Sequence, residues 1–444
     1  MGWLLKGFGR PVGWGRGDFR PAIRLVVMLI LAGLAASCTQ GRVLVDAPTL
    51  YVAQGAYPDA ELPIELRTTE AELFFVTDRL AQQSSNGLSY SADRSASMAL
   101  GVVDVEYGTD GSWDELKAAS TSARRDKAIP LRVTEVEEIV RFPETPLPFQ
   151  SVNGRLVTLD GPAREYRAAQ TAFVSAIREK LRVAPRKEIF LFVHGFNNDF
   201  EDAALSLADV WHFSGRVGVP IFYTWPAGNG GLFGYFKDRE SGEYTVYHLK
   251  EFLRTLSLID EVDAVHILAH SRGTDVTTTA LRELVIEMRA KGQDPRKVLK
   301  VENLIMAAPD LDFGIVRQRL MAERFGPAIG QITVYMNQGD SALGLSQRLM
   351  AGQRFGRLGV EDLGSGERSI FSRIRNVNFI DVESQTDGIG HGYFRRNPEV
   401  LSDITITVRE RARPGTPERP LEHIDINFWR LPEGYPQKRT VGLR

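Results

Sequence analysis

Residues 267–274 read Ile267-Leu-Ala-His-Ser271-Arg-Gly-Thr274, and this stretch decides the fold. Ala264 to Ala269 reads as a short buried strand, apolar but for His266, and 273–290 follows with helical spacing. Ser271 is caught between the two, with the small residues Ala269 and Gly273 two positions either side. That pattern suits a sharp strand-to-helix turn, where larger side chains would collide with neighbouring backbone. The first small site more often holds glycine, and A-x-S-x-G by itself also suits a plain helix N-cap.

Outward from this turn the pattern repeats. Ile189–Val193 predicts a second wholly apolar strand, then a helix over 200–213, a strand over Val219–Trp225, and a helix over 243–257. Beyond the serine, strands are expected at Val301–Ala307, Ile332–Met336 and Val377–Val382. Apolar strands alternating with amphipathic helices imply a doubly wound, mostly parallel α/β sheet. Upstream, Ala71–Thr77, Met98–Tyr107 and Val133–Phe142 read as additional N-terminal strands, with a polar loop at 80–97 and a helix over 163–182. The glycine-rich run 227–237 reads either as a mobile lid with an apolar tip (Leu232, Phe233, Tyr235, Phe236) or as an ordered connection whose aromatics pack on the core.

Several chemistry-bearing residues fall at strand ends. Serine is a weak nucleophile until a base takes its proton, and an acid must hold that base in the right tautomer. With the chain order Ser…Asp…His, only His391 and His423 follow Ser271, and His423 lies in the tail beyond the sheet. His391, in Asp387-Gly-Ile-Gly-His391-Gly, is therefore the expected base. Asp340, in Asn337-Gln-Gly-Asp340, is the expected acid, with Asp310 in Ala308-Pro-Asp310 as the alternative. His194 and His270 read as bracing residues.

These motifs resemble the α/β-hydrolase superfamily. More narrowly, the chain resembles a bacterial esterase/lipase-like family of uncharacterised function. The likeness is carried by Phe74-Phe-Val-Thr-Asp78-Arg79, His194-Gly-Phe-Asn197, Tyr223-Thr-Trp225-Pro226, Ala269-His-Ser-Arg-Gly273, Ala308-Pro-Asp310, Asp340-Ser-Ala-Leu343 and His391-Gly-Tyr-Phe394, over roughly 72–405. The resemblance implies a Ser271–Asp340–His391 triad and an oxyanion hole from the backbone N–H groups of Phe196 and Arg272. It also implies no metal and no organic cofactor. A catalytically silent binding or scaffolding lipoprotein, or an acyltransferase using the same residues, is the alternative to an ester hydrolase.

Composition sets the remaining limits. The 444 residues carry 54 Lys+Arg against 56 Asp+Glu, a net charge of −2, which lacks the basic excess of a nucleic-acid binder. The one cysteine, Cys38, cannot form an internal disulfide. It follows a basic segment (Lys6, Arg10, Arg16, Arg20, Arg24) and an apolar run, Leu25–Ala36, too short to span a bilayer. That arrangement resembles a lipoprotein signal, with Cys38 the lipidated first residue of a mature chain held in the cell envelope, at the outer membrane or periplasmic face. Ordinary signal cleavage at the same bond and a retained anchor are the alternatives. Removing 1–37 takes away five positive charges and one negative, moving the net charge to −6. The expected organisation is a signal peptide at 1–37, a tether at 38–70, the α/β domain at 71–408 and a mobile tail at 409–444. The expected substrate is a small-molecule or lipid ester.

Overall fold

In the computed structural model, residues 42–84, 87–108, 111–350, 352–382 and 390–436 are described. The expected signal segment and Cys38 lie outside them. Among the described residues no helix is long and apolar enough to cross a membrane. A short helix α1 (Thr49–Gln54) comes first. It is followed by β1 (Glu70–Ser84), β2 (Gly87–Tyr107), α2 (Trp113–Ala119) and β3 (Leu131–Arg141). A small hairpin, β4 (Phe149–Val152) and β5 (Arg155–Thr158), precedes α3 (Asp160–Val183). Then come β6 (Glu188–Val193), α4 (Phe200–Phe213), β7 (Val219–Thr224), α5 (Gly231–Leu256), β8 (Ala264–His270) and α6 (Gly273–Ala290). The remaining principal elements are β9 (Val301–Ala307), β10 (Gln331–Met336), α7 (Ser341–Met350), β11 (Val377–Asp381), α8 (Pro398–Arg409), β12 (Glu422–Asp425) and β13 (Phe428–Arg430).

Eleven strands form one mixed sheet in the order β12-β13-β11-β10-β9-β8-β6-β7-β1-β2-β3. From β1 through β11 to β13 every neighbouring pair is parallel; β2, β3 and β12 pair antiparallel at the two margins. The doubly wound sheet with added N-terminal strands is thus the expected one. β6, β7 and β8 are buried along their whole length, because helices cover both faces. Alternate residues of β6 divide between two cores. Ile189, Leu191 and Val193 join Phe173, Leu249 and Leu281 of α3, α5 and α6, whereas Phe190 and Phe192 join Leu207 and Val400 of α4 and α8. Strand order reverses around β6, which lies between β7 and β8, so a crevice opens at the carboxyl ends of these strands.

Four expectations are corrected. The 80–97 loop is the end of a long hairpin: β1 and β2 pair out to Ser84↔Gly87, with Gln82, Gln83, Asp93 and Arg94 exposed and Ser95 and Ser97 buried. The segment expected as a tether at 38–70 packs on the domain from Val43 onward. Tyr51 and Tyr57 are buried and donate hydroxyl protons to the carbonyls of Phe213 (2.7 Å) and His212 (2.6 Å). The tail at 409–444 contributes β12 and β13, and wholly buried Arg419 grips Asp403 through Nε (2.9 Å) and Nη2 (2.7 Å). The second half of the glycine-rich run is the first turns of α5, which begins at Gly231 instead of 243.

Candidate active site

Ser271 sits at the carboxyl end of β8 with φ at 51°, in the left-handed region that a non-glycine residue enters at a cost. Its carbonyl holds the turn closed by accepting from Thr274 Oγ1 (2.6 Å) and from the Asp310 N–H (3.2 Å). Close approach explains the glycines. A Cβ at Gly195 would stand 2.8 Å from Ser271 Cβ, and one at Gly273 would collide with the His194 and Val193 carbonyl oxygens. The alanine at position 269, where glycine is commoner, is wholly buried in the core.

Ser271, Phe196 and His391 line one cavity of about 290 Å³. Asp340 is buried behind it, and its Oδ2 accepts from His391 Nδ1 at 2.6 Å. Asp340 Oδ1 accepts from the Leu343 N–H (2.9 Å) at the start of α7, so helix and imidazole between them fix both carboxylate oxygens. His270, next to the serine, donates through Nε2 to the His391 carbonyl (3.2 Å), and the two rings lie 4.8 Å apart. Burial, then the neighbouring His391, holds the His270 pKa well below the ordinary value, so this ring stays neutral and braces the loop. The other C-terminal histidine, His423, pairs with the Ile426 carbonyl (2.9 Å) on β12.

Asp310, the alternative acid, also lines the cavity, but its carboxylate is engaged elsewhere. Oδ2 accepts from Tyr235 Oη (2.8 Å) and Oδ1 from Ser346 Oγ (2.7 Å), with Arg354 Nη1 3.7 Å from Oδ1. Burial and Asp310 push the Tyr235 hydroxyl up to about 12, so it remains a proton donor.

The His194 loop is braced more elaborately than the sequence suggests. Its ring stacks on Trp225 (5.2 Å, 6°), and Nε2 accepts from the Trp225 N–H (3.1 Å). That leaves the proton on Nδ1, which donates to the Gly195 carbonyl (2.9 Å). Burial, reinforced by Arg79, keeps this histidine neutral. Arg79 is itself wholly buried; it donates to the carbonyls of Asn198 (2.8 Å) and Ala227 (2.7 Å) and to Thr224 Oγ1 (2.8 Å), tying the loops after β6 and β7 together. Desolvation lowers its pKa to about 10, still charged at neutral pH. Asp238 on α5 completes the frame by accepting the Asn197 N–H (3.0 Å) and Asn229 Nδ2 (2.7 Å). Arg79 was visible only as part of a motif. Asp238 was missed, though with Ser241 and Thr245 it makes a polar stripe along the buried side of α5. Among the described residues, no group of three or more His, Cys, Asp or Glu is arranged to hold a metal ion.

The family model described as "Alpha/beta hydrolase of unknown function (DUF900)" matches residues 169–411, more than half of the chain and all of the strand ends just described. The chain belongs to this alpha/beta hydrolase family. No curated protein sequence matches it. Among solved structures, a predicted CIB-like hydrolase from Thermoplasma acidophilum is similar at 18% identity, covering 60% of this chain and 96% of its own, with a TM-score of 0.29. Est1E from Butyrivibrio proteoclasticus is similar at 12% identity, covering 51% and 88%, with a TM-score of 0.28. At those scores neither likeness bears on function. The family places the chain among hydrolase folds and leaves its chemistry to be argued from the site.

Proposed function

We propose that this member of the family is a serine hydrolase that cleaves carboxylic esters through an acyl-enzyme. Ser271 attacks the ester carbonyl, and His391 takes the hydroxyl proton and returns it to the leaving alkoxide. Asp340 holds the imidazole with its proton on Nδ1, leaving the other ring nitrogen as the base. The backbone N–H groups of Phe196 and Arg272 stabilise the developing oxyanion. Water, activated by His391, then releases the acid. The observation that carries this reading is the 2.6 Å hydrogen bond from His391 to buried Asp340, with His391 and Ser271 on the wall of one largely apolar cavity.

The test is covalent labelling with a fluorophosphonate probe. A single adduct mapped to Ser271 and absent from Ser271→Ala is expected, together with hydrolysis of p-nitrophenyl esters of graded acyl length. A folded wild-type protein that takes no label refutes the proposal. An acyltransferase would use the same residues, and products formed with added alcohols or amines distinguish it from a hydrolase. We further propose that Cys38 becomes a lipidated N-terminus that holds the enzyme at the cell envelope, supported by the basic segment and short apolar run before it. Metabolic labelling with a palmitate analogue, lost in Cys38→Ser, checks it.

A further inference from the structure

The cavity beside Ser271 is lined mainly by apolar side chains, including Phe196, Leu232, Leu343 and Leu349, but it holds one polar island: Asp310, Tyr235 and Ser346. Its protons can be counted. Three contacts join the three groups, Tyr235 Oη to Asp310 Oδ2 (2.8 Å), Ser346 Oγ to Asp310 Oδ1 (2.7 Å) and Tyr235 Oη to Ser346 Oγ (3.0 Å). Only two hydroxyl protons are present, and a carboxylate brings none. Each hydroxyl therefore gives its proton to Asp310, because the carboxylate is the stronger acceptor. The Tyr235–Ser346 contact then sets two oxygens side by side with lone pairs and no proton between them. What such a pair lacks is a donor. The charge of Asp310 is balanced by Arg354 Nη1 at 3.7 Å, on a side chain that is itself buried, so a neutral donor suits the island better than an ammonium. The Tyr235 ring is fixed edge-on against Phe196 (5.4 Å, 70°), which holds its hydroxyl in place.

We infer that the cavity selects an ester bearing a hydroxyl group on the chain that enters it, with that hydroxyl donating to the paired oxygens of Tyr235 and Ser346. This rests on the serine-hydrolase reading of Ser271, since it names the substrate class of the same site. A cavity built to hydrogen-bond a hydroxyl rejects the analogue that lacks it, because the buried acceptors are otherwise left without the water they had.

The test separates recognition from chemistry by measuring binding to Ser271→Ala protein. Methyl octanoate and the positional series of methyl monohydroxyoctanoates are titrated calorimetrically. One positional isomer is expected to bind about tenfold more tightly than the unsubstituted ester. Tyr235→Phe and Ser346→Ala should each remove most of that advantage, weakening the favoured hydroxy ester and tightening methyl octanoate, which no longer strands an acceptor. Asp310→Asn gives a change of sign: the amide is itself a donor, one hydroxyl is freed to turn its proton into the cavity, and preference should move from the hydroxy to the matching keto ester. If no hydroxy isomer binds better than methyl octanoate, or if the preference survives in Tyr235→Phe/Ser346→Ala, the inference is wrong. Either result leaves the nucleophile assignment untouched, and failure of the fluorophosphonate adduct leaves the binding preference to stand or fall by itself.

Discussion

Replacing Asp340 by Asn is the sharpest perturbation of the proposed triad, because the two residues have the same shape and differ in one proton pattern. In the native site both oxygens accept, Oδ1 from the Leu343 N–H at 2.9 Å and Oδ2 from His391 Nδ1 at 2.6 Å. The Leu343 N–H is a fixed donor, so the asparagine must turn its carbonyl toward the helix and its NH₂ toward the imidazole. Donor would then face donor unless His391 moves its proton to the other nitrogen. That tautomer cannot take the proton of Ser271. The expected loss in kcat is about 10³–10⁴-fold, or roughly 4–5.5 kcal/mol of barrier. KM should change little, because Asp340 is buried behind the imidazole and is not among the cavity-lining residues. The assay is steady-state hydrolysis of a p-nitrophenyl ester, with urea unfolding to show that the variant is folded. Asp310→Asn serves as the comparison; its carboxylate bonds to Tyr235 and Ser346, so it should alter substrate preference far more than turnover. A folded Asp340→Asn enzyme that keeps a tenth of its activity while Asp310→Asn collapses would refute the assignment.

Other outcomes follow from the same contacts. Ser271→Gly should abolish activity yet stabilise the fold by about 0.5–1 kcal/mol, since glycine adopts φ near 51° without strain; a lower urea midpoint would contradict that. Arg419→Met should cost about 3–5 kcal/mol, because Asp403, which also accepts from Tyr335 (2.6 Å) and Tyr435 (2.6 Å), would lose its buried guanidinium partner; wild-type stability would show the tail to be dispensable. Below about pH 6.5 the fold should weaken. His194, His212 and His270 are all held below their ordinary pKa, chiefly by burial, so the unfolded chain binds protons that the native state does not. Their contribution is complete above the unfolded value and is lost as pH falls beneath it, by about 1.4 kcal/mol per pH unit for each histidine. Urea midpoints that are equal at pH 7.5 and pH 5.5 would refute this.

The parts of the fold that were legible are those where one physical demand acts alone. β6, β8 and β9 are mostly apolar because helices cover both faces, and runs such as Ile189–Val193 and Leu304–Ala307 are visible without knowing their neighbours. Ser271 and Gly273 were legible because backbone proximity leaves few residue choices. Segments whose environment is made by distant residues were not. The 80–97 ribbon is a paired strand end whose polar residues Gln82, Gln83, Asp93 and Arg94 face solvent, so its composition imitates a loop. The aromatics of 43–70 follow no period because their shared packing site is made by distant residues, with Tyr57 stacked on His212 (5.0 Å) and Tyr51 edge-on against Tyr57 (5.5 Å). In the tail, Arg-rich composition reads as solvated, yet Arg419 is buried because Asp403, sixteen residues upstream, supplies a partner that no local pattern announces.

The same distinction applies inside the site. Chain order and strand ends gave the candidate nucleophile, base and acid, because those roles depend on where a residue leaves the sheet. What chain order left open was the choice between Asp340 and Asp310, since both follow strands that end at the crevice. The contacts separate them. Asp340 is tied to a helix N-terminus and an imidazole, an arrangement suited to orienting one proton. Asp310 is tied to two hydroxyls and a guanidinium, an arrangement that uses up donors and turns acceptors toward the cavity. On the proposed reading, two carboxylates of one chemical kind are set to different tasks by their hydrogen-bond partners, one to chemistry and the other to recognition. Because no partner is shared between these contacts, effects of Asp340 and Tyr235 substitutions on the barrier should add when the two are combined.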